Sequence, residues 1–561
     1  MPEYLAPGVY VEEVSFRAKS IEGVGTSTTG FVGPTRKGPL GGLPELLTSF
    51  GDFERLYGGL DNLSFGLNYL AHAVRAYFDN GGARLYVARV GGAGAAAAAS
   101  ALVVNGGGAA DNARFIARTS GAAGNGTVVA RLMAAPVSAA TLGNTAQGSL
   151  LRATGGTLAV RRGNVWQDAA GDPVALAGLT NTEILTLAVT LTDASGAAIL
   201  LDDLGFDSAH PRWVGHVLAV NPLRRSDQLQ NLFALEIGAN VSGFELFAAL
   251  FTAGTELSIP LVGGSDGAMP GAAAYQTALN ELARLEDIAI VAAPGCSAAP
   301  TTDFATIQQA LIGHAEARRA YRIAVLDTPP DLEVSGAREV RGQIDSKYAA
   351  LYYPWVVVAN PLAQPGRDDI PKEITLPPSG FVCGIYARND VERGVHKAPA
   401  NEIVRGALRF ETDVNFDEQG VLNPIGVNCL RYLTGRGYRV WGARTASSDP
   451  EWKYVNIRRY FNYLEASIDR STQWAVFEPN GERLWANVRQ TIADFLYNEW
   501  KNGALLGSKP EEAFFVRCDR STMTQNDLDN GRLICLIGVA AIKPAEFVIF
   551  RIGQKTADAQ S

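Results

Sequence analysis

Few residues in this chain have the type and spacing to do chemistry. Gly263-x-Ser265-x-Gly267 has the form of a nucleophile elbow, in which a serine stands on a sharp strand-to-helix turn beside a base. Asp327 and His396 would complete a serine, acid, histidine order. However, Ala268-Met269-Pro270-Gly271 separates the serine from the next helical residues, so Ser265 is expected in a loop. A hydrolase-like α/β enzyme centred on Ser265 is therefore the lesser reading. Gly92-x-Gly94-x-x-Ala97 follows a strand, with Asp111 about twenty residues on, which approaches a dinucleotide fingerprint. The helix it requires would be an alanine run with no polar face, interrupted by Asn105-Gly-Gly-Gly, so a flexible linker fits better. Of the five histidines, only His210 and His216 stand near one another, and no third metal ligand accompanies them. We expect no catalytic, cofactor or metal site.

One charge feature stands out. Arg431–Arg470 carries eight basic residues, including Arg436, Arg439, Arg444, Lys453, Arg458 and Arg459, against four acids, inside a chain of net charge −8. Such a run is either a solvated face or a basic surface for a partner. Interleaved aromatics (Tyr432, Tyr438, Trp441, Trp452, Tyr454) admit nucleic acid, but the overall acidity and the lack of a basic tail argue against it.

The elements that must position these residues follow from periodicity. At 561 residues the chain exceeds one core, and 47% hydrophobic with 19% charged residues is ordinary for globular protein. Phe50–Gly58 and Leu63–Phe78 read as helices and Arg84–Val90 as a strand. Gly91–Ala110, almost all Gly and Ala, marks a boundary, and beyond it short β-like runs alternate with turn residues up to about residue 250. From Leu257 strands and helices alternate: strand Leu257–Val262, helix Ala272–Leu285, strand Ile288–Ala293, helix Asp303–Ala320, strand Arg322–Leu326, helix Gly336–Lys347, strand Trp355–Ala359. Strands apolar throughout imply a parallel sheet buried on both faces. Helix Leu484–Trp500 lines up Leu484, Val488, Ile492, Phe495, Leu496 and Trp500 on one face. The longest apolar run, Leu533–Ile542, is too short to span a membrane, and no secretory signal is expected. Five scattered cysteines without CxxC spacing read as reduced and structural, as in a cytosol.

Terminal strands complete the pattern. Val9–Val14, behind Pro7-Gly8, is a short strand with nothing near it in sequence to pair with. Glu546–Gly553 is strongly β-prone, with Phe547, Ile549 and Arg551 on one face and Val548, Phe550 and Ile552 on the other.

Read in order, PGVYVEEV (7–14), GFVGPTRKG (30–38), GFVCGIYARNDVERGVHKAPAN (380–401), NPIGVNCLRYLTGRGYRVWGA (423–443), YFNYLEASIDRSTQWAVFEPN (460–480), Trp485–Lys501 and PAEFVIFRIGQ (544–554) resemble the sheath protein of contractile phage tails and contractile injection systems. The resemblance covers roughly residues 1–90 and 255–561. His396 departs from it, standing where an aromatic, usually Trp, is expected. The resemblance implies an α/β multidomain protein: arm 1–25, first part of the N-terminal domain 26–94, an α/β core with a βαβ-type parallel sheet 253–400, and an α+β C-terminal domain 401–561; between them, the alternation of short β-like runs with turn residues makes 95–252 an inserted mostly-β outer domain. It implies that terminal arms of neighbouring subunits complete a sheet in the C-terminal domain, through Val9, Tyr10, Val11 and Val14 at one end and Phe547, Val548, Ile549, Phe550 and Ile552 at the other. It further implies a helical homopolymer around an inner tube, with baseplate and tail terminator or cap proteins as further partners and the basic window facing the tube. Assembly is expected in the bacterial cytoplasm, into a phage virion tail or an injection particle, without nucleic acid as partner or direct membrane insertion. The alternative within the structural class is a non-contractile filament or capsid-type protein.

Overall fold

In the computed structural model, residues 20–550 are described, apart from 139 and 300. Six strands build the central sheet: β1 (Thr29–Pro34), β2 (Leu85–Val90), β3 (Ile290–Ala292), β4 (Ile323–Asp327), β5 (Ala349–Tyr353) and β6 (Val427–Leu433). Their spatial order is β2-β1-β3-β4-β5-β6, and every neighbouring pair is parallel. Short antiparallel strands flank this block, Leu46–Leu47 beyond β2, and Gly437–Val440 then Glu402–Ile403 beyond β6.

Alternation along these strands assigns the two faces. Phe31, Val87, Ile290, Val325, Ala350 and Tyr352 point to one core layer, whereas Val32, Ala88, Val291, Leu326, Leu351 and Tyr353 point to the other. Both layers are buried, which is why the strands carry no polar face. The first layer is closed by α1 (Tyr69–Asp79) and α2 (Pro378–Arg393), the second by helices Ala272–Leu282 and Thr301–Glu316. The motif GFVCGIYARND explains how α1 and α2 approach. A Cβ on Gly380 would lie 2.7 Å from Ala73 Cα, and one on Gly384 would lie 2.4 Å from the Tyr77 carbonyl. Glycines one turn apart give α2 a backbone face against which α1 can lie.

A second, antiparallel sheet lies in sequence between β2 and helix Ala272–Leu282; with a three-stranded antiparallel sheet that carries Phe115 and Phe233, it shares a separate core that includes Val128, Leu187 and Leu191. The expected strand at Leu257–Val262 exists as Glu256–Pro260, but it pairs antiparallel with Thr127–Pro136 in this second sheet instead of opening the parallel one. An apolar run of that length is compatible with either environment, so periodicity could not choose. The Gly/Ala stretch is not a slack linker either. Residues 93–99 run antiparallel to 262–268, with bridges Ala93↔Ala268, Ala96↔Ser265 and Ala99↔Val262. The two connections to the second sheet thus zip together into a neck.

Three further expectations need correction. Helix Leu63–Phe78 begins only at Tyr69, because Asn68 caps it by accepting the Ala71 N–H. Strand Trp355–Ala359 begins at Val356 and belongs to a separate three-stranded antiparallel sheet with Glu373–Leu376 and Ala407–Phe410, while the parallel strand is the preceding β5. Residues 402–440 supply strands to the central sheet, so the C-terminal unit does not begin at 401. Its core forms around α3 (Val455–Ser471) and α4 (Glu482–Lys501), where Tyr460, Leu464, Trp485, Val488, Ile492 and Leu496 pack together. It also holds a two-stranded antiparallel sheet of β7 (Phe514–Arg517) and β8 (Leu536–Val539).

Candidate assembly surface

The residues with enzyme-like spacing are engaged elsewhere. Ser265 Oγ accepts the Gly267 N–H at 3.1 Å, and its backbone pairs with Ala96 in the neck. Asp327 is buried at the end of β4, where it accepts the Ser379 N–H (2.7 Å) and hydroxyl (2.5 Å), and burial pushes its carboxyl up to about 7. His396 sits edge-on to Tyr460 in the C-terminal unit, half-buried. Gly92 and Gly94 lie at the neck, and no helix follows them. His210 lies in the turn after strand Ala198–Leu204, its Nδ1 accepting the Arg212 N–H, and His216 lies in the short helix Val214–Val217. Among the described residues no cluster of three or more His, Cys, Asp or Glu could hold a metal, and no helix is long and apolar enough to cross a membrane.

The basic window divides in two. Arg444, Arg458 and Arg459 are buried, so they do not form an outer charged face. Arg459, on α3, donates to both oxygens of Asp390 on α2 (2.8 and 2.6 Å) and to the Thr26 carbonyl (3.1 Å), with its guanidinium 4.7 Å from the Tyr386 ring centre. Burial opposes that charge, and Asp390 outweighs it, leaving the guanidinium above its ordinary pKa. Arg458 lies between the rings of Tyr348 and Trp452 and donates to Asn462 and Glu465. Sequence alone could not separate Arg444 and Arg459 from surface arginines, since their neutralising partners, Glu546 and Asp390, stand on other elements, whereas Glu465 meets Arg458 from two turns on along α3 itself. Arg436 is exposed, and Arg439 and Lys453 are partly so.

The arginines of this window instead hold the two ends of the chain. Thr26 Oγ1 donates to Asp390 (2.6 Å) and the Val24 N–H to Ser467 Oγ (3.1 Å), so residues 20–28 cross α3 before entering β1. At the other end Glu546 is pinned from four sides: Arg444 (two contacts of 2.7 Å), Asn423 Nδ2 (2.7 Å), Tyr454 Oη (2.9 Å) and Lys453 Nζ (3.4 Å). Burial would raise this carboxyl, but the donors from Arg444, Asn423 and Tyr454 hold it down at about 2. Directly beyond the pin, Phe547, Val548, Ile549 and Phe550 are 70, 69, 79 and 83% exposed. The strand expected at Glu546–Gly553 makes no ladder over residues 546–550. Ile552, like Val9, Tyr10, Val11 and Val14, lies outside the described residues.

Four consecutive exposed apolar residues are unusual for a lone soluble chain. The β7–β8 pair is equally incomplete: among the described residues it has no third strand, and two strands alone are marginal in water. Beside β8 lies an open groove of about 800 Å³, lined by Ile537 and Val539 from the strand and by Phe461, Leu464 and Ile468 from α3. Tail and sheet each present unsatisfied strand surface.

Comparison with known proteins decides what this arrangement belongs to. Residues 268–446 match the phage tail sheath protein central domain, and residues 447–555 match the phage tail sheath C-terminal domain. The chain belongs to the contractile tail sheath family. A putative prophage major tail sheath protein of Pseudomonas aeruginosa (strain UCBPP-PA14) is 26% identical over 267 residues, 47% of this chain and 64% of that protein. The tail sheath protein of Vibrio phage KVP40 is 24% identical over 33% of this chain and 27% of its own length, so the match spans under two thirds of either relative. The sheath in the contracted-state cryo-EM structure of an extracellular contractile injection system, the PVC sheath complex, shares the fold over 99% of both chains (TM-score 0.55, 22% identity). The boundary at 446/447 places the start of the sheath C-terminal domain just before α3.

Proposed function

We propose that this chain is the repeating subunit of a contractile sheath, polymerised helically around an inner tube and driven once from an extended to a contracted lattice. Family membership supports the reading, and one observation carries it: an exposed apolar tail leaves a fixed root at Glu546, while a two-stranded sheet beside an open groove has no further strand among the described residues. Strand addition would satisfy both, with Phe547–Ile552 of one neighbour and Val9–Val14 of another extending β7–β8. Main-chain hydrogen bonds of roughly 1 kcal/mol net each, with side chains seated in the groove, would hold such links. Such links let subunits shift relative to one another without detaching, and the free energy difference between two lattices then does the work. In this role the subunit needs no active site or cofactor. Arg436, Arg439 and Lys453 remain candidates for the tube-facing surface, whereas Arg444, Arg458 and Arg459 serve the fold. Baseplate and terminator proteins would bound the polymer, assembled in the bacterial cytoplasm as part of a phage tail or an injection particle.

Negative-stain microscopy of the purified chain tests this reading. Tubular polymers are expected; discrete small oligomers at high concentration would refute it. Val11→Pro removes a donor from the N-terminal arm and should abolish long polymers while leaving the monomer melting temperature unchanged. A large drop in that temperature would show that the strand pairs within its own chain.

A further inference from the structure

We propose that Cys518 and Cys535 form a redox-closable pair that ties β7 to β8 covalently when the protein meets a disulfide oxidant. The strands pair antiparallel from Phe514↔Val539 to Arg517↔Leu536, and the next step of that register sets Cys518 opposite Cys535. Directly opposed residues of an antiparallel ladder have Cα atoms about 4.5–5.5 Å apart, within the usual disulfide span. The two thiols stand near enough for each to act on the other's titration. The backbone around them is held as well, because Thr522 Oγ1 donates to the Ile534 carbonyl at 2.8 Å and closes the neck of loop 519–534. Both are free thiols, Cys518 buried and Cys535 partly exposed. The other three, Cys296, Cys383 and Cys429, are buried in the layers of the central sheet.

The chemistry is thiol–disulfide exchange. The Cys535 thiolate attacks one sulfur of a small disulfide, expelling one thiol and leaving a mixed disulfide on Cys535. The Cys518 thiolate then attacks Cys535 Sγ, forming the intramolecular bond and expelling the second thiol. Two protein thiols are oxidised and one small disulfide is reduced. Burial raises both thiols, an effect that the nearby Arg489 guanidinium offsets in part, so closure should be slow near neutrality and faster in mild alkali. Closing loop 519–534 restricts the unfolded chain and stiffens the strand pair. That the stiffened pair is the arm-receiving sheet rests on the sheath reading; formation of the bond does not.

The test uses the purified full-length chain with oxidised glutathione at mildly alkaline pH, then alkylation and unreduced digestion. Two of the five thiols should disappear, a peptide pair linked through Cys518 and Cys535 should be recovered, and protease nicking within 519–534 should slow, all reversed by reductant. Persistence of glutathione on Cys535, or five titratable thiols in the denatured product, would overturn the proposal. Cys535→Ser should give no linkage and no change in nicking on oxidation. If oxidant slows nicking in that variant too, the protection does not come from this bond. Because the linkage is read on the monomer, its failure is distinguishable from failure to polymerise.

Discussion

Glu546 is the single residue on which the C-terminal tail turns from held to free. Glu546→Gln keeps the shape but removes the charge that neutralises buried Arg444 and half-exposed Lys453. We expect the body to stay folded while residues 543–550 become more open to limited proteolysis and hydrogen exchange; unchanged protection would deny the pin its role. The pH dependence has a definite sign. With its carboxyl lowered from 4.5 to about 2, Glu546 contributes stability that is full above about pH 4.5 and is lost as pH falls toward 2. Buried His72 and half-buried His314 act at milder acidity. Burial lowers both from 6.5 to about 4, so their contribution is full above pH 6.5 and declines as pH falls through 4. Melting temperature should therefore fall between pH 6.5 and 4, and His72→Leu should flatten part of that slope. At the other anchor, Asp390→Asn leaves Arg459 buried without its counter-charge, which costs about 3–5 kcal/mol. Sequence exposed the concentration of arginines from 431 to 470 but not their fate. Arg459 reads as a surface charge until Asp390, 69 positions away, is placed against it.

Among the described residues, no strand other than β7 pairs with β8. Ile537 and Val539 face the groove above α3, and Ile537 is 37% exposed in the isolated chain, so a charge there is tolerated until an incoming strand must cover it. Ile537→Asp should leave the monomer melting temperature within about 1 kcal/mol-equivalent of the parent, as surface substitutions do. Polymer formation should be lost; undiminished tubes would show that arms dock elsewhere. Element legibility followed physical contrast. Helix α4 was readable to within two residues because its apolar face repeats over five turns, and the parallel strands because they are apolar on both faces. Val356–Ala359 and Glu256–Pro260 were recognised as strands but assigned to the wrong sheet. Partner choice depends on tertiary context that a short apolar run does not encode. The two-residue pairing strands Leu46–Leu47 and Glu402–Ile403 carry no periodic signal at all.

At the scale of the whole molecule, the second sheet stands on a neck, and that geometry defines how it can be removed. Its core is separate from the two layers of the central sheet, and its side-chain ties to the rest include the ion pairs Lys37–Asp193 (3.2 Å) and Arg225–Glu45 (2.6 Å). Cutting at 95 and 250, as composition suggested, would strand Glu256–Pro260 without its partner Thr127–Pro136 and break the Ala96↔Ser265 bridge. Cutting within the neck avoids both. Ala99 and Val262 already pair across it, Ala99 N–H to Val262 carbonyl and the reverse at 3.0 Å each, so a two-residue turn can join them after deletion of 100–261. The loss includes the Arg89 contact to the Ser120 carbonyl, but Arg89 keeps the Gly38 carbonyl and the neighbouring Asp266 carboxylate. The shortened chain retains the central sheet, the anchors at Thr26 and Glu546, and the β7–β8 groove. It should therefore fold and still form tubes, thinner in outline than those of the parent. A folded deletion protein that never polymerises would show that subunit contacts also run through the second sheet, and the arms alone would then be insufficient to build the lattice.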